Sequence, residues 1–94
     1  MRTILIVDDS LTVRMELAEA LDSAGFRTIQ CATIADARIA LRSHPIALAI
    51  LDIQLPDGDG LDLLRQIRKD FTLGELPVLM LSTEADVRDR KSVV

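Results

Sequence analysis

The chain has 94 residues, 49% of them hydrophobic and 28% charged, with a formal net charge of −4 and neither Trp nor Tyr. Such a length suits one small compact soluble domain over residues 1–94, with little core to spare, and the acidic balance, with Lys and Arg scattered among acids, argues against a nucleic-acid surface. One cysteine excludes an internal disulfide, and the absence of a signal-peptide core or an apolar stretch of spanning length points to a cytoplasmic chain with no membrane association.

Ile4-Leu5-Ile6-Val7 is an uninterrupted apolar run ending on Asp8-Asp9, the pattern of a strand buried on both faces of a parallel sheet. Ser10 is placed to cap a helix in which Val13, Leu17, Ala20, Leu21 and Ala24 recur at three and four residues, and Gly25 to end it. Residues 26–32 alternate loosely, as an edge strand half open to water does, and Cys31 within them reads as a buried, inert thiol. Thr33 starts a second helix through about Ser43 with Ile34, Ala37, Ala40 and Leu41 inward; His44 falls at its exposed end and Pro45 breaks it. Ala47-Leu48-Ala49-Ile50-Leu51 is the third strand and delivers Asp52. Pro56, Gly58 and Gly60 predict a loop over residues 53–60, followed by a helix with Leu61, Leu64 and Ile67 on one face. Gly74 and Pro77 bracket the return to a fourth strand, Val78-Leu79-Met80-Leu81, which ends on Ser82, and residues 83–94 read as the start of a fourth helix.

Strands alternating with helices through short loops give right-handed crossovers with helices on both faces of the sheet. Parallel strands put their carboxyl ends on one edge, where ligands bind. Asp8, Asp9, Asp52 and Ser82 all fall there, an acidic pocket suited to a hard divalent cation and to chemistry on one Asp. Each residue alone has a plainer reading. Asp8-Asp9 could cap a helix start, and Ser82 could satisfy local backbone. Asp52 as a mere turn acid would carry an unrelieved electrostatic cost beside two other acids. Asp57-Gly58-Asp59-Gly60 lacks the frame and closing Glu of an EF-hand loop and reads as a turn.

These residues resemble the receiver domain of two-component response regulators over residues 2–93. The resemblance rests on Ile4-Leu5-Ile6-Val7-Asp8-Asp9-Ser10, on Leu51-Asp52-Ile53-Gln54-Leu55-Pro56-Asp57-Gly58-Asp59-Gly60 and on Leu81-Ser82-Thr83. It implies a flavodoxin-like α/β three-layer sandwich around a parallel sheet of strand order 2-1-3-4-5. It also implies that Asp52 accepts a phosphoryl group from a histidine kinase or phosphotransfer protein in a Mg²⁺-dependent reaction. Asp9 would ligate Mg²⁺ directly, Asp8 through water, and Asp52 and the Gln54 backbone carbonyl would complete the protein ligands. Ser82 would contact the phosphoryl group and carry the switch, while Gln54 and Glu84 would tune the lifetime of the aspartyl phosphate.

The sequence departs from the family pattern at its carboxyl end, which has no counterpart of the fifth strand, its Lys or the fifth helix. Lys91 stands only nine positions after Ser82, whereas a crossover to a new parallel strand takes roughly a dozen residues or more. The fold is therefore expected to be incomplete there, with the fourth strand a sheet edge that a second copy could cover together with residues 85–94. Three functions follow: a phosphoacceptor signalling domain, favoured by the acid constellation; a receiver-like interaction or dimerisation module without phosphotransfer; and an Asp-nucleophile phosphohydrolase. The last wants an Asp acid-base where Gln54 stands.

Overall fold

The computed structural model describes residues 2–70 and 73–81. Four strands form the main sheet: β1 (Thr3–Val7), β2 (Arg27–Cys31), β3 (Leu48–Asp52) and β6 (Val78–Leu81), in the order β2-β1-β3-β6 with every pairing parallel. Between them lie α1 (Leu11–Ser23), α2 (Ile34–Ser43) and α3 (Gly60–Lys69). The chain steps from β1 outward to β2 and then back across to β3, and with right-handed crossovers this reversal puts α1 on one face and α2 and α3 on the other. The result is the three-layer flavodoxin-like architecture, and the point of reversal lies between β1 and β3.

Local chemistry accounts for the helix limits. Ser10 accepts the Val13 N–H on its hydroxyl at 3.2 Å, and Gly25, at φ +95°, takes the left-handed turn after α1. Thr33 accepts the Asp36 N–H at the start of α2, and the exposed His44 closes its end.

Alternation along the strands sorts the core into two faces. Leu5, Val7, Ala49, Leu51, Val78 and Met80 meet Ile34, Ala37, Ala40 and Leu41 of α2 and Leu63 and Ile67 of α3 in one cluster. Ile4, Ile6 and Ile50 face the other way, and Ala18 is the buried residue of α1.

Three expectations change. In α1, Ala20 and Ala24 are exposed, and Val13, Leu17 and Leu21 are half-buried, so the helix lies over the sheet along a narrower stripe than its periodicity suggested. In α3 the deepest residues are Leu63 and Ile67, with Leu61 and Leu64 only flanking them. Residues 53–60 form a small antiparallel hairpin, β4 (Gln54–Leu55) and β5 (Gly58–Asp59), turning at Pro56-Asp57. Leu55 anchors that hairpin in the core, and the Gly60 N–H donates to the Ile53 carbonyl at 2.6 Å to close its base.

β6 pairs only with β3 among the described residues and so stands at the sheet edge, as β2 does on the far side. Also among the described residues, no helix is long and apolar enough to cross a membrane. The anticipated fourth helix over residues 83–94 lies outside the described residues.

Candidate metal centre

Register brings the acids together. Val7 pairs with Leu51 and Asp52 with Leu81, so Asp8 and Asp52 leave adjacent strands at one level of the sheet's carboxyl edge. Carboxylate oxygens of Asp8, Asp9 and Asp52 lie within 4.8 Å of one another, with Asp8 and Asp52 buried and Asp9 exposed at the rim.

Asp8 is held by main chain on either side. Its N–H donates to the Cys31 carbonyl at 3.0 Å, extending the β1–β2 ladder one residue past the strand, and its Oδ1 accepts the Ser10 N–H at 2.9 Å. Its own carbonyl accepts from the Arg14 guanidinium at 2.8 Å, which ties the first turn of α1 back onto the acid pair. Asp52, only 3% exposed, has its carboxyl pushed up from 3.8 to about 6. Burial is the main cause and the Asp8 charge comes next; the backbone N–H of Gln54 pulls the value back, Asp9 raises it further and the Ile53 N–H again opposes.

The donor set fits a hard divalent cation. All three side chains offer oxygen, two of them from inside the fold, and the Asp8 and Asp9 charges beside buried Asp52 oppose its ionisation, which a cation among them would relieve. Oxygen-only ligands open to solvent at Asp9 favour Mg²⁺, which keeps several waters, over softer metals.

Gln54 sits at the start of β4, its side chain exposed and its backbone N–H turned to the Asp52 carboxylate. Ser82, Glu84 and Lys91, and with them the 85–94 segment, lie outside the described residues. His44 is exposed and distant from the acids in the fold, at the far end of α2. Cys31 is buried, and its thiol is raised by that burial and by the Asp36 charge, with Arg14 opposing, which suits an inert residue.

Two residues escaped the sequence reading. Arg14 grips the Asp8 carbonyl from six residues away. Asp57 accepts the N–H groups of Ile34 and Ala35 at 2.8 and 3.0 Å, capping α2 from the hairpin tip. A bond across 23 residues leaves no local signature. Asp59, by contrast, caps α3 through the Leu61 N–H two residues on, an arrangement readable from an acid just before a helix.

Comparison with known proteins agrees with this architecture. The family model described as "Response regulator receiver domain" matches residues 4–94. The transcriptional regulatory protein GltR of Pseudomonas aeruginosa is 43% identical over 89 residues, covering 95% of this chain and 37% of that protein, so the chain spans well under half of that relative. The non-phosphorylated receiver domain of HemR from Leptospira biflexa superposes with a TM-score of 0.80 at 33% identity, over 94% of this chain and 69% of that one. The MaeR response regulator bound to beryllium trifluoride gives a TM-score of 0.80 at 37% identity, over 94% of this chain and 72% of that one. With its sheet order, its acid cluster and the family match in agreement, the chain belongs to the response regulator receiver domain family of two-component systems.

Proposed function

We propose that the chain is a phosphoacceptor in a cytoplasmic two-component phosphorelay, taking a phosphoryl group from a histidine kinase or phosphotransfer protein onto Asp52. The observation that carries this reading is the convergence of three carboxylates at the sheet's carboxyl edge, with Asp52 buried among them. An Asp52 carboxylate oxygen attacks the phosphorus of phosphohistidine in line. The new P–O bond forms as the P–N bond breaks, and the departing imidazole takes up a proton. Bound Mg²⁺ would supply positive charge between Asp52 and the incoming phosphoryl oxygens. Asp8, Asp9, Asp52 and the Gln54 backbone carbonyl would hold it, and the Ser82 hydroxyl would serve as the donor to a phosphoryl oxygen and as the switch residue. MaeR, which binds beryllium trifluoride, a group close to phosphoryl in size and charge, supports the same use of the pocket here. The domain serves as an acceptor rather than an enzyme, with at most self-phosphorylation and self-dephosphorylation. Similarity to a transcriptional regulatory protein supports control of transcription as the output of a longer chain.

Incubation with Mg²⁺ and acetyl phosphate tests this. Intact mass is expected to show one added phosphoryl group, absent from Asp52→Asn and absent without Mg²⁺. An unmodified mass with Mg²⁺ still bound rejects phosphotransfer.

One observation favours a second reading, an interaction or dimerisation module. β6 pairs on one side only among the described residues, and its Leu79 and Leu81 are half-buried. A second copy pairing along β6 satisfies that edge. A single monomeric species across a concentration series in sedimentation rejects it.

A further inference from the structure

The hairpin after Asp52 is fixed at two ends by different means. At its base the Gly60 N–H reaches the Ile53 carbonyl, and Gln54 pairs with Asp59. At its tip Asp57 reaches across to α2, Oδ1 accepting the Ile34 N–H at 2.8 Å and Oδ2 the Ala35 N–H at 3.0 Å. Both donors belong to the first turn, where no intrahelical acceptor exists, and the helix dipole favours an anion there. Those two bonds hold the Asp57 carboxyl below the ordinary carboxylate range. Gly58, beside it, returns against Ile34 so closely that a β-carbon would lie 2.9 Å from Ile34 Cδ1.

Gln54 lies between these two anchors. We propose that Asp57 is a positioning residue for the metal centre, clasping the hairpin to the start of α2 so that the Gln54 peptide keeps its N–H on Asp52 and its carbonyl toward the cation. The inference rests on the proposed metal-binding reading of Asp8, Asp9, Asp52 and the Gln54 carbonyl. Thr33 caps the same helix start through a different donor, the Asp36 N–H at 3.1 Å, so a helix cap that does not reach the hairpin is available for comparison. The hairpin tip has no comparable second tether from a side chain among the described residues. Without the clasp, Leu55 still seats β4 in the core, but the Pro56-Asp57 tip is released from α2 and the Gln54 peptide loses the constraint on that side.

The test is calorimetric titration of Mg²⁺ into the whole chain, at a temperature where every variant is folded by circular dichroism. Asp57→Ala is expected to weaken Mg²⁺ binding about tenfold, the scale of a lost supporting contact around a metal. Asp57→Asn, which keeps one acceptor oxygen, is expected to lose less. Thr33→Ala destabilises the same helix start without touching the hairpin and is expected to bind as the parent does. Unchanged affinity in Asp57→Ala alongside lost affinity in Asp9→Asn overturns the clasp and leaves the metal centre standing. Equal losses in Asp57→Ala and Thr33→Ala assign the effect to helix stability and also overturn it. If Asp9→Asn binds like the parent, the metal reading fails and the clasp with it. Should Asp57→Ala not fold, Asp57→Asn decides by the same comparison.

Discussion

Gly60 packs its Cα against the carbonyl of Asp52, so closely that a β-carbon at residue 60 would stand 2.0 Å from the Asp52 oxygen and 3.0 Å from its carbonyl carbon. The glycine that opens α3 thus sets how near that helix comes to the end of β3, and through it where Asp52 sits.

Gly60→Ala is expected to cost about 3 kcal/mol or more, since both clashing partners are backbone and cannot swing aside. Gly25→Ala is the contrast. Nothing lies within 4 Å of a β-carbon there, and only the φ of +95° is unfavourable, so about 1 kcal/mol is expected. Urea unfolding of both variants checks the pair, and equal losses would remove the close-approach argument.

Asp52→Asn is expected to stabilise the metal-free protein at neutral pH. A carboxyl raised from 3.8 to about 6 on folding binds its proton more tightly in the folded than in the unfolded chain. Ionisation therefore costs nothing below about pH 4, costs progressively more between 4 and 6, and costs its full amount above 6. At full strength that is about 3 kcal/mol, and solvent at the pocket mouth screens it to about 1–2 kcal/mol. Unfolding free energies of both proteins in EDTA from pH 4 to 8 should diverge as pH rises. A constant difference would mean that Asp52 is not electrostatically strained.

Asp57 carries the opposite sign. Its carboxyl is lowered, chiefly by the Ile34 N–H bond and also by that of Ala35, so the stability it contributes is present above the ordinary carboxylate value and is lost as pH falls through its folded value. The stability difference between parent and Asp57→Asn should shrink on acidification below about pH 4. A difference that instead grows in acid contradicts the assigned bonds.

Much of this fold could be read from the chain because its strands are continuous apolar runs, and such runs announce burial without tertiary information. Asp8 and Asp52 were readable for the same reason, each being the first polar residue at the end of such a run, with Asp9 directly following Asp8. What escaped was whatever depends on a distant partner. Asp57 looks like any turn acid until Ile34 and Ala35 are brought to it. The hairpin at residues 53–60 looked like a loop because each of its strands has two residues, too few for any periodicity. The face of α3 was read one step off centre because Leu61, Leu63 and Leu64 offer overlapping stripes, and only the approach of α3 to β3 selects Leu63. Leu63→Ala is therefore expected to cost about 2–5 kcal/mol and Leu64→Ala clearly less, and chemical denaturation giving the reverse order would contradict the observed packing.

Mg²⁺ should stabilise the fold and should do so only while the acids are ionised. A ligand that binds the folded chain alone adds about 2.7 kcal/mol at one hundred times its dissociation constant, and a cation there would also offset the burial and the Asp8 and Asp9 charges that raise Asp52. Above pH 6 both effects act together, and below it the proton on Asp52 competes with the metal. The melting temperature is thus expected to rise with Mg²⁺ at pH 7.5, to rise much less at pH 5, and to be nearly insensitive in Asp9→Asn at either pH. Differential scanning calorimetry with EDTA controls measures this directly. The acid-dependent loss separates binding at the carboxylates from a general effect of ionic strength, which screening would impose alike on parent and variant.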